Sequence, residues 1–125
     1  MTVTVVILTL GDLGLVEGVT TKEIIGSDHD TDEEGNAAPF TRGRCAVFGL
    51  ELCPPQVAPQ YRLNYKSQPL HERLYVAMKP IADPDGEPRI FVLWHNTDGL
   101  SLDAVWARPY DRWHRNDKFM FCTKP

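Results

Sequence analysis

The chain has 125 residues, of which 42% are hydrophobic and 10% aromatic, and its net charge at pH 7 is −4. This length suits one domain with its own core, and the apolar content excludes a chain that is disordered throughout. No stretch has the apolar length of a membrane-crossing helix, so we expect no membrane association. The 10 prolines and 9 glycines favour many short elements over long helices.

The charge is distributed unevenly along the chain. Residues 1–40 carry eight acidic side chains and one basic side chain, whereas residues 41–125 carry nine acidic and twelve basic ones. The three cysteines, Cys45, Cys53 and Cys122, are odd in number and lack the C-x-x-C spacing of a disulfide framework or zinc site. We therefore expect reduced, buried thiols and a cytoplasmic location. The apolar run at residues 3–10 lacks the basic lead and cleavage site of a signal peptide.

Residues 2–10 are rich in β-branched side chains and predict the first strand, apolar on both faces and therefore central in a sheet. Residues 11–14 predict a plain turn, because neither glycine-rich phosphate-binding motif is present. Residues 15–25 are ambiguous. Thr20 and Glu23 have the spacing of a capping box, which predicts a short helix, but the β-branched residues fit a strand equally well.

Residues 27–39 read SDHDTDEEGNAAP and predict a mobile, solvated acidic loop. The alternating aspartates are similar to the start of a calcium loop, but Glu33 and Pro39 stand where that loop needs its glycine and its bidentate acid, so we predict no calcium site. The acids form the first candidate site, for a protein partner with a basic surface. They are Asp28, Asp30, Asp32, Glu33 and Glu34.

Residues 44–52 predict a strand with Gly49 as a bulge, followed by a stiff, proline-rich connector to Pro59. Residues 61–66 alternate between apolar and polar side chains and predict a half-exposed strand.

Residues 74–113 form the centre of the predicted fold. Two apolar runs, 74–78 and 90–94, flank the sequence Asp83-Pro84-Asp85-Gly86, which predicts a hairpin with a type I turn and a left-handed glycine. Because neither run alternates, both strands should be covered on both faces. Pro80 and Pro88 should lie where the ladder is open or bulged.

Residues 105–108 predict a further strand, ended by Pro109, and residues 119–123 predict the last one. About seven short strands indicate an all-β fold with room for one short helix, in a single domain over residues 1–125. A barrel or a sandwich fits this pattern.

Residues 74–113 also resemble a small bacterial and phage domain family of unknown function. The resemblance rests on Leu74-Tyr75, Ala82, Gly86-Glu87, Val92-Leu93-Trp94, the Trp-x-Arg-Pro pattern of residues 106–109, and Trp113. The chain departs from the family at Ala107, where the family has valine, and in a longer loop between the strands. The resemblance implies an SH3-like barrel and no particular chemistry.

The second candidate site is a basic and aromatic stretch near the C-terminus. Arginines interleaved with aromatic rings can bind single-stranded nucleic acid or a protein partner, although Trp106 and Trp113 fit core positions equally well. The residues are Arg108, Tyr110, Arg112, His114, Arg115 and Lys118.

No catalytic, metal-binding or cofactor motif is present in the sequence. A Cys122–His95 pair would need hydrogen-bond contact between thiol and imidazole, and no motif supports it. Three hypotheses follow. The favoured one is a non-enzymatic protein-binding module, by analogy a phage or mobile-element inhibitor of a host nucleic-acid-handling complex. The alternatives are a single-stranded nucleic-acid-binding barrel and an enzyme of unrecognised type that uses His95 or His114.

Overall fold

The computed structural model describes residues 4–15, 18–27 and 41–123. Strands dominate this part of the chain, which confirms the all-β class. The strands are β1 (Val5–Thr9), β2 (Val19–Thr20), β3 (Gly26–Ser27), β4 (Thr41–Arg42), β5 (Leu50–Glu51), β6 (Arg73–Val76), β7 (Ile81–Ala82), β8 (Pro88–Asn96), β9 (Gly99–Trp106), β10 (Arg112–Trp113) and β11 (Lys118–Thr123). The helical elements are α1 (Thr21–Ile24), α2 (Val57–Asn64) and two 3-10 turns, Gly11–Leu13 and Arg44–Phe48.

The main sheet has seven strands. Its path runs β1-β11-β6-β8-β7, while β5 pairs with β11 and β9 pairs with β8. The β6–β11 pairing is parallel and the others are antiparallel. Within the described ranges the sheet does not close into a barrel. The prediction of a central first strand is wrong, because β1 lies at one end of the path and β6 lies at its centre.

The central hairpin forms as predicted. The Gly86 N–H donates to the Asp83 carbonyl at 2.9 Å, and Gly86 has a φ of 83°. Val92 and Leu93 point to opposite faces of β8 and are both buried, so both faces are covered as expected. If the β6 register continued, Met78 would lie opposite Arg89, but Ile81 lies there. Three extra residues therefore lie between β6 and β7, where the pairing with β8 is interrupted by a bulge.

The predicted positions of the two hairpin prolines are confirmed. Pro80 lies in the bulge between β6 and β7, where the ladder is interrupted. Pro88 is the first residue of β8, and its carbonyl accepts a hydrogen bond from the Ala107 N–H. Neither residue therefore has to supply the amide donor that proline lacks.

An aromatic cluster packs on one face of the sheet. The rings of Tyr75, Trp113 and Phe119 lie 4.9 to 5.5 Å apart between centroids. Tyr75 and Phe119 are paired residues on neighbouring strands, and Trp113 lies across them from β10. Trp113 therefore fills a core position, one of the two alternatives that the sequence left open for it.

Residues 15–25 contain both of the alternatives that the sequence left open. Val19 and Thr20 form β2, and the next residue begins α1. The capping box is present, because the Thr20 hydroxyl accepts from the Glu23 N–H while the Glu23 carboxylate accepts from the Thr20 N–H. The strand thus turns directly into one helical turn.

Two predictions of secondary structure are wrong. Residues 44–52 form mostly a 3-10 turn, Arg44–Phe48, which ends at Gly49 with a φ of 73°, and only Leu50–Glu51 is strand. Residues 61–66 belong largely to α2 and not to a strand, and Leu63 is 73% exposed rather than buried. Pro59 lies in the first turn of α2, where an N–H has no intrahelical partner, so the predicted connector is partly helix.

β3 and β4 bring the two ends of the acid-rich segment together. Ser27 pairs with Thr41, and Gly26 pairs with Arg42. The Gly43 N–H donates to the Ile25 carbonyl, and a Cβ at Gly43 would lie 2.5 Å from the Ile24 backbone. The segment is therefore anchored beside α1. The predicted acidic loop itself, with Asp28, Asp30, Asp32, Glu33 and Glu34, lies outside the described residues.

Candidate functional site

The end of β9 exposes a tryptophan. Trp106 is 49% exposed and pairs with Arg89 on β8, which in turn pairs with Ile81 on β7. Paired residues of an antiparallel sheet point to the same face, so the three side chains form a row across three strands. Ile81 is also exposed, at 43%. Large apolar side chains grouped on a surface mark sites of interaction more often than scattered ones.

Two guanidinium groups pack on the Trp106 ring. The Arg108 Cζ lies 4.0 Å from a ring centroid and the Arg89 Cζ lies 5.1 Å away. Such cation–π contacts fix the ring and both arginines relative to one another. We call Ile81, Arg89, Trp106, Arg108 and Tyr110 the Trp106 surface.

Both arginines of this surface are paired with acids. The Arg108 Nε lies 3.0 Å from the Glu87 Oε2, and the Arg89 Nε lies 2.8 Å from the Asp83 Oδ2. The hydrogen bond to Glu87 raises the pKa of Arg108, and the hydrogen bond from Arg89 lowers the pKa of Asp83. The positive charges are therefore compensated locally, and the Trp106 surface is aromatic rather than basic in character.

The hairpin turn positions these acids. The Asp83 Oδ1 accepts hydrogen bonds from the N–H groups of Asp85 and Glu87, both at 2.9 Å. An aspartate that bonds its own turn in this way is a common turn former. The turn thereby places Glu87 opposite Arg108. The Arg89–Asp83 and Arg108–Glu87 ion pairs therefore depend on the turn at residues 83–86, which is recognisable in the sequence.

A groove of about 370 Å³ opens between the end of the hairpin turn and the Arg108–Tyr110 segment. Its lining residues are Gly86, Glu87, Pro88, Arg108, Pro109 and Tyr110. Tyr110 is 71% exposed. The Arg108 N–H donates to the Asp111 Oδ2 at 2.9 Å, and the Lys22 N–H of α1 donates to the Pro109 carbonyl at 3.0 Å. These bonds hold the groove wall and tie α1 to it.

The six residues of the predicted basic and aromatic site do not form one surface. Arg108 and Tyr110 line the groove, whereas the Arg112 guanidinium donates to the Gly18 carbonyl at 2.9 Å. Lys118 lies on β11, three strands away from β9 in the sheet and thus roughly 14 Å distant at the usual strand spacing. His114 and Arg115 are exposed in the segment between β10 and β11.

A second cavity of about 530 Å³ lies around β6. Its lining includes His71, Arg73, Trp94, Asp117 and Lys118. The Arg73 Cζ lies 4.4 Å from the Trp94 ring centroid, and Lys118 pairs with Glu72 at 3.1 Å. His71 has a φ of 72°, an uncommon conformation for a residue other than glycine. The cavity has mixed charge and no arrangement of a nucleophile with a base.

The residues considered for catalysis have other partners. The His95 Nδ1 lies 2.6 Å from the Gln68 carbonyl oxygen, and the Cys122 Sγ lies 2.7 Å from the Cys53 Sγ. All three cysteines are buried, as expected. Among the described residues no group of three histidine, cysteine, aspartate or glutamate side chains is arranged to hold a metal ion. In the same residues, no helix combines the length and apolar character that crossing a membrane requires.

Sequence reasoning missed Ile81, Arg89 and Glu87 as parts of the site. A signal for them was present, because the turn at residues 83–86 fixes the register of its flanks. That register places Glu87 opposite Asp83 and Arg89 opposite Ile81. The position of Trp106 beside them depends on the longer β8–β9 pairing.

Comparison of the chain with protein-family models, with curated proteins and with solved structures gives no match. The SH3-like family resemblance therefore stays a prediction.

Proposed function

We propose that the chain is a non-enzymatic protein-binding module and that the Trp106 surface is its contact site. The observation that carries this proposal is the half-exposed Trp106, held in place by two charge-compensated arginines. Tryptophan, tyrosine and arginine are enriched among the few residues that supply most of the binding energy in protein interfaces. Here Trp106 is already held by both arginines, and Tyr110 lines the same groove as Arg108, so fixing the indole on binding would cost little side-chain entropy.

The compensated charges favour a protein partner over nucleic acid. A nucleic-acid site needs cations that are free to contact phosphate. Arg89 and Arg108 are instead paired with Asp83 and Glu87, so a phosphate would have to displace a carboxylate. An aromatic surface of balanced charge matches the centre of a protein interface, where unpaired charge is depleted.

The acid-rich segment adds a second contact in this proposal. Its N-terminal anchor, α1, bonds to Pro109 at the groove, so the segment starts from the same corner of the molecule. The basic surface of a partner would then contact the acid-rich segment, while an apolar part of the same partner covers Trp106. Proteins that handle nucleic acid have such a basic surface. In its more specific form, our proposal is that this chain inhibits a nucleic-acid-handling complex of a host.

The test is capture of partner proteins on the immobilised chain, with variants as controls. Trp106→Ala should lose the captured protein, whereas Leu63→Ala, at an exposed apolar position on α2, should retain it. A variant in which all five acids are replaced by their amides (Asp28→Asn, Asp30→Asn, Asp32→Asn, Glu33→Gln, Glu34→Gln) should bind the captured protein more weakly. The difference from the wild type should be clearest at low salt. Equal capture by Trp106→Ala and the wild type would refute the proposed contact site.

A further inference from the structure

One edge of β9 is open. In the described part of the chain β9 pairs only with β8. The Ala107 N–H donates to the Pro88 carbonyl. Every second residue counted back from Ala107 therefore directs its backbone N–H and C=O groups toward β8. Because this orientation alternates along an antiparallel strand, Leu102, Ala104 and Trp106 direct their N–H and C=O groups outward. Among the described residues these groups have no hydrogen-bond partner.

Helix α2 lies near the start of β9 but makes no hydrogen bond to the outward backbone groups of residues 102–106 among the described residues. The Arg62 guanidinium donates to the Ser101 carbonyl at 3.2 Å, so the helix lies beside the first residues of β9. Beyond that point Ala104 and Trp106 are both exposed. The open edge therefore extends over residues 102–106.

The edge lacks the usual protection against pairing. Natural edge strands carry proline, lysine or a bulge that prevents another strand from adding to them. Residues 102–106 read LDAVW, with one charge and no proline, and the β8–β9 register is unbroken over all eight pairs. A regular, unprotected edge next to an exposed tryptophan is a template for strand addition.

We propose that β9 is a strand-addition site, where an extended segment of the partner protein pairs with residues 102–106. This inference rests on the proposed function and specifies how the partner binds. On the face that carries Trp106, the small Ala104 leaves space for an apolar side chain that packs on the indole. On the other face Asp103 selects lysine or arginine. The segment therefore alternates apolar and basic residues.

A second copy of the chain fits this edge less well. In antiparallel self-pairing about Ala104, Val105 of each copy would lie opposite Asp103 of the other. Two carboxylates would then enter the interface without a cation, which is unfavourable. A basic segment supplies the missing charge, and it agrees with the partner expected for the acid-rich segment.

A random-peptide display library, selected on the wild-type protein, tests this inference. We expect enriched peptides with a period of two, alternating apolar and basic residues. Ala104→Pro removes one outward N–H and should weaken the affinity for the synthesised peptides by roughly tenfold. Ala104→Ser keeps both the N–H and the small side chain, so it should change this affinity little. Peptide binding should also slow hydrogen exchange at the Leu102, Ala104 and Trp106 amides.

Three outcomes would overturn the inference. Peptides that still bind Ala104→Pro but not Trp106→Ala would reject strand addition and leave the proposed function standing. A wild-type dimer in sedimentation that Ala104→Pro dissociates would assign the edge to a second copy. Absence of enriched peptides would reject the site. If Ala104→Pro fails to fold, N-methylation of alternate peptide amides gives the same information from the ligand side, since it removes the donors that face β9.

Discussion

The indole Nε1 of Trp113 donates a 2.8 Å hydrogen bond to the hydroxyl of Thr21, and both residues are buried. The two lie 92 positions apart in the chain. This bond fastens α1 to the aromatic cluster of the core, and α1 in turn bonds to Pro109 at the groove. The Trp106 surface is therefore supported from the opposite end of the sequence.

Trp113→Phe should destabilise the fold, because it leaves the Thr21 hydroxyl without this donor. We expect a loss of about 1–2 kcal/mol in the free energy of unfolding, measured by urea denaturation. Thr21→Val should cost a similar amount, and the double variant should cost less than the sum of the two. Additive losses would show that the two side chains do not interact.

Gln68→Leu should lower the free energy of unfolding by more than Trp113→Phe does. Gln68 is 2% exposed, accepts from the Arg62 guanidinium at 2.6 Å and donates to the Leu93 carbonyl at 3.0 Å. Its loss would remove one acceptor of the partly buried Arg62 guanidinium and leave the buried Leu93 carbonyl without this donor, at a cost of about 2–4 kcal/mol. Gln60→Leu, at an exposed position of α2, should change the urea midpoint little and is the matched control.

The fold should lose stability in alkaline solution. Burial raises the pKa of Tyr75, with a smaller contribution from the nearby Asp117 carboxylate. The phenol therefore ionises first in the unfolded chain, at about pH 10, and this favours unfolding as the pH rises through that value. The stability that the neutral phenol contributes is complete below pH 10 and decreases above it.

Urea midpoints of Tyr75→Phe measured between pH 8 and pH 11 check this prediction. The variant should show a weaker decrease in stability than the wild type across that range. Tyr110→Phe, at an exposed position, is the matched control. Identical pH profiles for Tyr75→Phe and the wild type would contradict the prediction.

Hydrogen peroxide should link Cys53 to Cys122. Their Sγ atoms lie 2.7 Å apart, and joining them converts two thiols and one peroxide into a disulfide and two waters. The reaction should be slow, because burial raises the pKa of both thiols and leaves little thiolate. The bond would close a long loop and raise stability by about 4 kcal/mol in the chain-entropy model.

Intact mass and thermal unfolding measure this reaction. Wild type and Cys45→Ser should each lose two hydrogen atoms and gain thermal stability after oxidation. Cys53→Ser and Cys122→Ser should do neither. Oxidation of Cys53→Ser with the same mass loss would show that another cysteine pair reacts.

Much of the fold could be predicted where a signal acts over a few residues. The Asp83–Gly86 turn and the Thr20–Glu23 capping box were readable because their hydrogen bonds join residues two to four positions apart. The two wrong assignments of secondary structure, by contrast, concern segments whose conformation depends on contacts with distant parts of the chain. Tyr61, Leu63 and Tyr65 alternate like a strand, but Arg62 bonds to Gln68 and Ser101, which favours a helix packed beside β9.

The sequence by itself determined the all-β class, the central hairpin and the acid-rich segment, since composition and local turn chemistry act without the rest of the chain. The tertiary structure alone decided that Trp106 lies against Arg89, that Lys118 lies far from Arg108, and that no described strand pairs with the outer edge of β9. These relationships depend on strand order and register. Both are set by the burial of side chains that are distant in sequence, such as Trp113 against Tyr75.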